Sequence, residues 1–551
     1  MTFSSNLKML PIAALMASAF NASADTATAW VATQSHAPDV SNATAGVAMQ
    51  SGEAVHVAIS LQLRNKAALD ALTADLIAGK SKQVLTKAQY LSQYAPTQAQ
   101  VNAVVAHLSK NGFVNIKVAS NNLMVTADGS AGTAKAAFKV DMQHFDVNGR
   151  KAYANLNDPV VPKELENIVL SVHGLQTVHK AHTTLIKAKP DGRDASETGH
   201  SPAAWPTIYG GTGIPTAANT TIGIVSGGNM SQTLSDLSTF VQQAGFQTPN
   251  VNVVGGSGSS TSGTPEWDID SQDSLGAAGG VVQGLIFYAA NSMSDADLNS
   301  DYNQVVSDNA AQVINVSLGE CETDAKSDGT IATDDQIFET AVAQGQTFAV
   351  ASGDSGSYEC GGRTSYQSYP AVSPYVIAVG GTTLSTNSSG VWSSETAWSC
   401  TSYRTCPQSA DGGSGGGVSS TEAAPSWQVY SGLLGSSKKR GVPDIAFDAN
   451  PSSGSLPIVN GSATQYGGTS LATPIFVGFW ARIQSANSNS LAFPATALYQ
   501  YGSANESTIF HDITSGSNGG YSAKAGWDYV TGFGSLNVGK FATFVANNSG
   551  F

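Results

Sequence analysis

The chain has 551 residues, of which only 12% are charged and 41% are hydrophobic, and its formal charge is −14. That length exceeds one ordinary core and implies two or three domains, the apolar content excludes a wholly disordered chain, and the acidic balance argues against nucleic acid as a partner. The charge is uneven: residues 1–194 carry 17 Lys and Arg against 13 Asp and Glu, a net of +4, and residues 195–551 carry 9 against 27, a net of −18. A basic N-terminal part facing an acidic C-terminal part suggests an intramolecular partner whose grip weakens as carboxylates are protonated.

In chain order, Lys8, the apolar stretch Met9 to Phe20 and Ala22-Ser23-Ala24 read as a signal peptide over residues 1–24, and hence as export. No later run is long and apolar enough to span a bilayer, so no membrane association is expected. From Val55 to about Leu175 strand and helix periods alternate. VHVAISLQL is a predicted strand, NKAALDALTADLIAG and TQAQVNAVVAHLSKNG are helices, FVNIKVAS and NLMVTADG a hairpin-like pair, SAGTAKAAFKV a helix, and MQHFDV and KAYANL strands. That order suits an α+β sandwich with helices on one face of an antiparallel sheet. Residues 179–203 are polar, proline-bearing and aperiodic, a linker where proteolysis is expected between about Lys187 and Ala203.

Beyond the linker the pattern is α/β. TTIGIVSGG is a strand, LSDLSTFVQQAG a helix, VNVVGG a strand, and Trp267 to Ala290 reads as one long glycine-containing helix. AAQVINVSLG, FETAVAQGQTFAVASGD and PYVIAVGG continue strand, helix, strand, strand, with apolar runs typical of parallel strands buried on both faces. A doubly wound parallel sheet follows, with ligands expected at the C-terminal strand ends. Residues 400–440 read as mostly irregular. Four cysteines in an exported chain suit two disulfides. Three pairings are open, and Cys321 with Cys360 and the closely spaced Cys400 with Cys406 are favoured.

Three segments carry chemistry. In GGTSLATPIFVGFWARIQ two glycines and a threonine place Ser470 at a helix N-terminus, where partial positive charge favours a forming oxyanion. A serine needs a base. Histidine is poorly supplied: seven of the nine precede residue 195, His200 lies in the linker, and His511 precedes Asp512 in a loop. EWDIDSQD instead offers Glu266 and Asp270 four apart on one helical face, where one carboxylate can orient another. Asp268 and Asp273, off that face, read as acids favoured by a helix N-terminus. ASGDSG sets Asp354 directly after a strand.

The order Glu, Asp, Asp, Ser in EWDIDSQD, SGDSG and GGTSLATP, with LTKAQYLSQYAPTQAQVNAVVAHLSKNGF upstream, resembles the sedolisin family of serine-carboxyl peptidases, and the pseudomonalisin-like bacterial enzymes in particular. The resemblance implies a subtilisin-like doubly wound catalytic domain over 204–551, preceded by an α+β (ferredoxin-like) activation prosegment over 25–178. It implies Ser470 as nucleophile, Glu266 as general base, Asp270 as its support and Asp354 as the oxyanion-hole residue. Ser317, Leu318 and Gly319 resemble the edge that pairs with substrate backbone. HDITSGSNGGYSAKAGWDYVTGFGSLN resembles a loop for one calcium ion, with Asp512 and Asp528 as side-chain ligands and Ile513, Lys524 and Gly526 as carbonyl donors. The loop looks shorter than in close relatives and carries Lys524 where glycine is usual.

The function expected is a secreted, monomeric, acid-acting endopeptidase on protein and peptide substrates, made as a self-processing proenzyme with its prosegment as intramolecular inhibitor or chaperone. An ionised base and a protonated Asp354 coexist only in acid. A subtilisin-type peptidase with His511 as base would instead work at neutral pH. A non-catalytic calcium-binding module would tolerate Ala or Gly at the four positions.

Overall fold

The computed structural model describes Met1 and residues 29–188, 199–406 and 412–548, so the signal-peptide reading lies outside the described residues, as does part of the linker. In the N-terminal domain four antiparallel strands pair in the order Val114–Val118, Met124–Ser130, Ala54–Leu61, Val169–His173. Val55, Val57, Ile59 and Leu61 alternate onto one face, where they pack with Val101, Val104 and Leu108 of the helix Gln98–Lys110 and with Ala134 and Phe138 of Ala131–Phe138. Thr97 opens the first helix with a capping box, its hydroxyl accepting from the Gln100 amide while Gln100 accepts from the Thr97 amide.

The last two predicted strands, Met142–Val147 and Arg150–Asn155, do not join this sheet. With Thr44–Ala48 they form a three-stranded sheet around a small core at Phe145, Ala152, Ala154 and Val178.

The C-terminal domain is built on an eight-stranded sheet. Val251–Gly255, Val282–Ala290, Ala217–Gly227, Val313–Val316, Thr347–Ala351 and Ile377–Thr386 run parallel in that order, Ile445–Asp448 also pairs parallel to the last, and Trp392–Ala397 closes the edge antiparallel. This is the doubly wound subtilisin-like architecture. The single helix expected from Trp267 to Ala290 is instead a helix, Thr264–Ala277, followed by the strand Val282–Ala290. Gly279 and Gly280, at φ 82° and 77°, break the helical path, and the apolar run beyond them is a central strand buried on both faces. Residues 400–440 are also less irregular than expected, holding the strand Gly417–Ala423 and the short helix Ser426–Ser431.

Two buried helices cross the centre of this domain. Every residue from Thr469 to Ser485 in Thr469–Ala486 is buried, and so is every residue of Thr264–Ala277 except Pro265. A helix apolar all round belongs inside a core, as the first one is. Gly478 sets their approach, because a Cβ there would lie 2.4 Å from the Ser274 carbonyl and 2.6 Å from the Ala277 Cβ.

The N-terminal sheet lays its second face on the peptidase helices Asp295–Asp308 and Thr330–Ala343. This seam is held mainly by apolar packing and neutral hydrogen bonds, such as Gln336 Nε2 to the Leu61 carbonyl (2.8 Å) and His173 Nε2 with Thr333 Oγ1 (2.8 Å). Among the described residues the ion pairs crossing it are Lys66–Glu339 at 2.7 Å and His179 with Asp324 and Asp328 at 3.8 and 3.3 Å. The charge asymmetry of the sequence is therefore spent on few specific pairs.

Glu339 is buried, and desolvation raises its carboxyl to about 7 despite Lys66. A raised carboxyl favours the docked, protonated form in acid, and the cost of ionising it appears as pH rises through that value. Lys66→Met in an intact Ser470→Ala chain should therefore lower the melting temperature at pH 8 by at least the ~2–4 °C that 1 kcal/mol represents in a domain of ~150–250 residues. At pH 4 calorimetry should find the two chains alike, because Glu339 then carries its own proton.

Candidate active site

Ser470 is the second residue of the helix Thr469–Ala486 and is fully buried. The helix enters through Gly468 at φ 115°, a conformation that favours glycine. The Ser470 amide donates to the Thr184 carbonyl at 3.4 Å, and its Oγ lies 2.7 Å from the Thr184 hydroxyl.

Glu266 and Asp270 share one face of Thr264–Ala277, as their spacing requires. Trp267 anchors this helix by donating to the Gly227 carbonyl at the end of a central strand (2.9 Å). Asp270 Oδ1 accepts from the Ser317 hydroxyl at 2.6 Å, and Ser317 accepts in turn from Asn315 Nδ2 at 3.0 Å. Both Glu266 oxygens are buried without an aligned donor. The Ser470 and Thr183 hydroxyls are near enough to oppose a rise in the Glu266 pKa, but Ser470 is turned towards Thr184. Burial, and then the neighbouring Asp270 charge, lifts Glu266 well above the usual carboxylate range, and burial does the same to Asp270. Two buried carboxyls on one face hold at most one negative charge easily.

Asp354 follows the strand Thr347–Ala351. Its Oδ1 accepts from the Thr469 amide and hydroxyl, both at 2.8 Å, while Oδ2 is buried and unpartnered. Burial pushes this carboxyl up to about 7, and the Thr469 bonds oppose the rise. A Cβ built on Gly468 would lie 2.1 Å from the Thr184 carbonyl oxygen and 2.7 Å from Asp354 Oδ2, so both oxygens converge on this glycine. Glu359, absent from the sequence reading, holds the Asp354 loop from behind: its carboxylate accepts from the Ser355 amide at 2.7 Å and presses on Gly353. Cys360, next in the chain, bonds Cys321, and Cys400 bonds Cys406, as favoured from the sequence.

Asp268 and Asp273 are not the first-turn acids that a helix N-terminus favours, because the helix Thr264–Ala277 carries Glu266 there and they lie further along it. Both are buried. Asp273 accepts from Trp205 Nε1 at 2.7 Å and Ser455 Oγ at 2.6 Å, and burial with the nearby Asp236 raises Asp268 to about 9.

Leu318 and Gly319 do present a strand edge, and the chain's own linker occupies it. His182 pairs with Gly319 and Thr183 with Leu318, antiparallel. Beyond Thr184 and Leu185, Ile186 pairs with Gly467 and Lys187 with Tyr466. This second edge, just ahead of Ser470, had no sequence signal because two-residue pairings carry no period.

His511 belongs to another cluster, its ring stacked on Trp392 at 3.8 Å between centroids and its pKa pushed down to about 4 by burial. Beside it Asp512 Oδ2 accepts from the Gly526 amide (3.2 Å) and Asp528 Oδ2 from the Lys524 amide (2.9 Å), so both aspartates clasp one turn. The Ile513, Lys524 and Gly526 carbonyls accept no hydrogen bond among the described residues. Among those residues no three His, Cys, Asp or Glu side chains cluster as metal ligands, so a cation here would rest on two carboxylates and carbonyl oxygens, a donor set that suits calcium.

Residues 41–178 match the family described as Pro-kumamolisin, activation domain, and residues 271–534 match the Subtilase family. The chain is 46% identical to Sedolisin of Pseudomonas sp. (strain 101), over 98% of this chain and 96% of that one, and 41% identical to Xanthomonalisin of Xanthomonas sp. (strain T-22), over 97% and 70%. A solved structure of Pseudomonas sedolisin (serine-carboxyl proteinase) complexed with two molecules of pseudo-iodotyrostatin is 47% identical, with a TM-score of 0.61, covering 65% of this chain and all of that one. A subtilisin-like sheet behind an activation domain of this kind defines a serine-type peptidase made with its own prosegment. The chain belongs to the sedolisin family of serine-carboxyl peptidases.

Gly468→Ala tests the convergence of the two oxygens. The methyl would strike both the carbonyl seated at Ser470 and Asp354, in a conformation alanine rarely adopts. Turnover should be lost while circular dichroism shows the fold retained and the melting temperature falls only by the amount that about 1–3 kcal/mol of backbone strain represents.

Proposed function

We propose that the chain is a secreted proenzyme whose mature form hydrolyses peptide bonds in acid through an acyl-enzyme on Ser470. The signal segment is residues 1–24, the prosegment 25–178, the linker 179–203 and the peptidase domain 204–551. The observation that carries this reading is a peptide carbonyl resting on the Ser470 amide beside the free oxygen of Asp354, with Glu266 buried nearby and unpartnered.

In this mechanism Ser470 Oγ attacks the substrate carbonyl and gives its proton to Glu266. Asp270, fixed by Ser317, shares the single negative charge of the pair and keeps Glu266 basic enough to take that proton. The forming oxyanion is held by the Ser470 amide and, when protonated, by Asp354. Glu266 then returns the proton to the leaving amine, and water repeats the cycle to release the acyl group. Leu318 and Gly319 hold the substrate backbone on one side of the cut bond.

The pH dependence follows from sign. Below about 7 Asp354 keeps its proton and can donate; above it the carboxylate would repel the oxyanion, so turnover falls as pH rises through that value. The acid limb is set by the first ionisation of the Glu266–Asp270 pair. Asp354→Asn should remove the fall on the neutral side, because an amide donates at every pH, whereas Asp354→Ala should lose about 10²–10³-fold below about pH 7, where the wild-type carboxyl donates. A profile of kcat on denatured protein from pH 2 to 8 reads both.

Glu266→Gln should cost about 10²–10⁴-fold with the fold intact, and His511→Ala should do little. An active Glu266→Gln beside an inactive His511→Ala would return the histidine mechanism.

One calcium ion would be held by Asp512, Asp528 and the carbonyls of Ile513, Lys524 and Gly526, tying the C-terminal loop together without touching the chemistry. Burial raises both aspartates, a cost that a cation would offset. A ligand bound only by the folded state stabilises it, so chelation should lower the melting temperature and Asp512→Ala with Asp528→Ala should abolish the difference. Identical melting with and without calcium would remove the ion from this account.

A further inference from the structure

We propose that the first bond this enzyme cuts is its own Thr184–Leu185 peptide bond, within one molecule. The inference rests on the peptidase reading above and places the cut ahead of the Lys187–Ala203 stretch expected from linker composition.

The linker is seated as a substrate rather than merely packed nearby. Upstream of Thr184, His182 and Thr183 extend the Leu318–Cys321 strand; downstream of Leu185, Ile186 and Lys187 pair with Tyr466 and Gly467. Two separate edges thus grip the same extended segment on either side of the Thr184–Leu185 unit, which fixes its register against Ser470. The carbonyl of that unit, Thr184, is the one accepting from the Ser470 amide, and it converges with Asp354 Oδ2 on Gly468. Neighbouring carbonyls do not share this position. Thr184 itself is almost completely buried.

Leu185 adds side-chain recognition. It packs against Ile269, Val459 and Tyr466, a small apolar cluster formed between the helix that carries Glu266 and the segment leading to Ser470. The geometry therefore also assigns an aliphatic residue to the position just after the cut bond.

The step balances as a hydrolysis. Ser470 Oγ bonds to the Thr184 carbonyl carbon as its proton passes to Glu266, the Thr184–Leu185 C–N bond breaks, and Glu266 delivers the proton to the Leu185 nitrogen. Water then attacks the acyl-enzyme, leaving a Thr184 carboxyl group and a free Leu185 amine. In the resting proenzyme the Thr184 hydroxyl holds Ser470 Oγ at 2.7 Å, so attack waits until Ser470 turns to Glu266. Cuts nearer to Ala203 are then trimming by enzyme already opened.

The test uses the full proenzyme purified near pH 8, shifted to pH 4 and sampled early by intact mass and N-terminal sequencing. The expected first products end at Thr184 and begin at Leu185, at a rate unchanged over about a 100-fold dilution. Leu185→Pro, which removes the N–H and fixes the backbone at the leaving position, should slow this cut by an order of magnitude or more. The peptide KAHTTLIKAK should be split by the mature enzyme between its second threonine and leucine, and the version with aspartate in place of leucine should be split at least tenfold more slowly. A first product beginning anywhere else, or a rate proportional to concentration, overturns the proposal. If denatured protein is still digested in acid while that happens, the peptidase reading stands; if neither substrate is cut, both fall.

Discussion

Removal of carboxyl groups from water is the constraint on which the rest of the structure depends. Glu266 and Asp270 lie where solvent does not reach, Asp354 is half-buried with its Oδ2 shielded, and each is harder to ionise than an ordinary carboxylate. The burial is produced by two helices crossing inside the sheet layers, close enough that one added methyl at Gly478 would part them. Only a framework this rigid keeps a pair of acids on one face from relaxing apart. The expense is stability at neutral pH, where every such carboxyl is pressed to ionise. The acid-acting chemistry proposed above and an acid-favoured fold thus have the same origin.

The second organising fact is topological. The N-terminal domain does more than shield the catalytic domain: the segment leaving it fills both strand edges that flank Ser470. Its docking seam is mostly neutral, so docking depends on shape and hydrogen bonds, with Lys66 and His179 as the cations that cross it. Attraction between a basic and an acidic half is visible in composition, but many carboxyl groups of the acidic half, Asp273, Glu395, Asp444 and Asp448 among them, are buried inside their own domain and do not face the basic half.

Much of this was legible in the sequence. The strand and helix periods from VHVAISLQL onward placed the N-terminal sandwich, and the apolar runs at Ala217–Gly227, Thr347–Ala351 and Ile377–Thr386 placed the parallel sheet. The i,i+4 spacing of Glu266 and Asp270 survived as one helical face. What failed had physical causes. Val282–Ala290 was merged with the helix before it because a doubly buried strand has no period, and only the paired glycines at 279 and 280 mark the break. Asp268 and Asp273 read as acids favoured by a helix N-terminus because nothing local announces partners such as Trp205 and Ser455. Thr184 gained its place from contacts distant in sequence, and Glu359 from a bond within its own irregular loop, and no periodic pattern records either.

The two short edges at Leu318–Gly319 and Tyr466–Gly467 have a consequence for what the opened enzyme can hold. Each offers main-chain donors and acceptors over only two residues, on opposite sides of the serine, so a ligand must present several consecutive free peptide groups in one extended line. A polypeptide in its native state has already committed those groups to its own helices and sheets. The cleft therefore discriminates by conformation before it discriminates by side chain, and favours chains that have lost their fold.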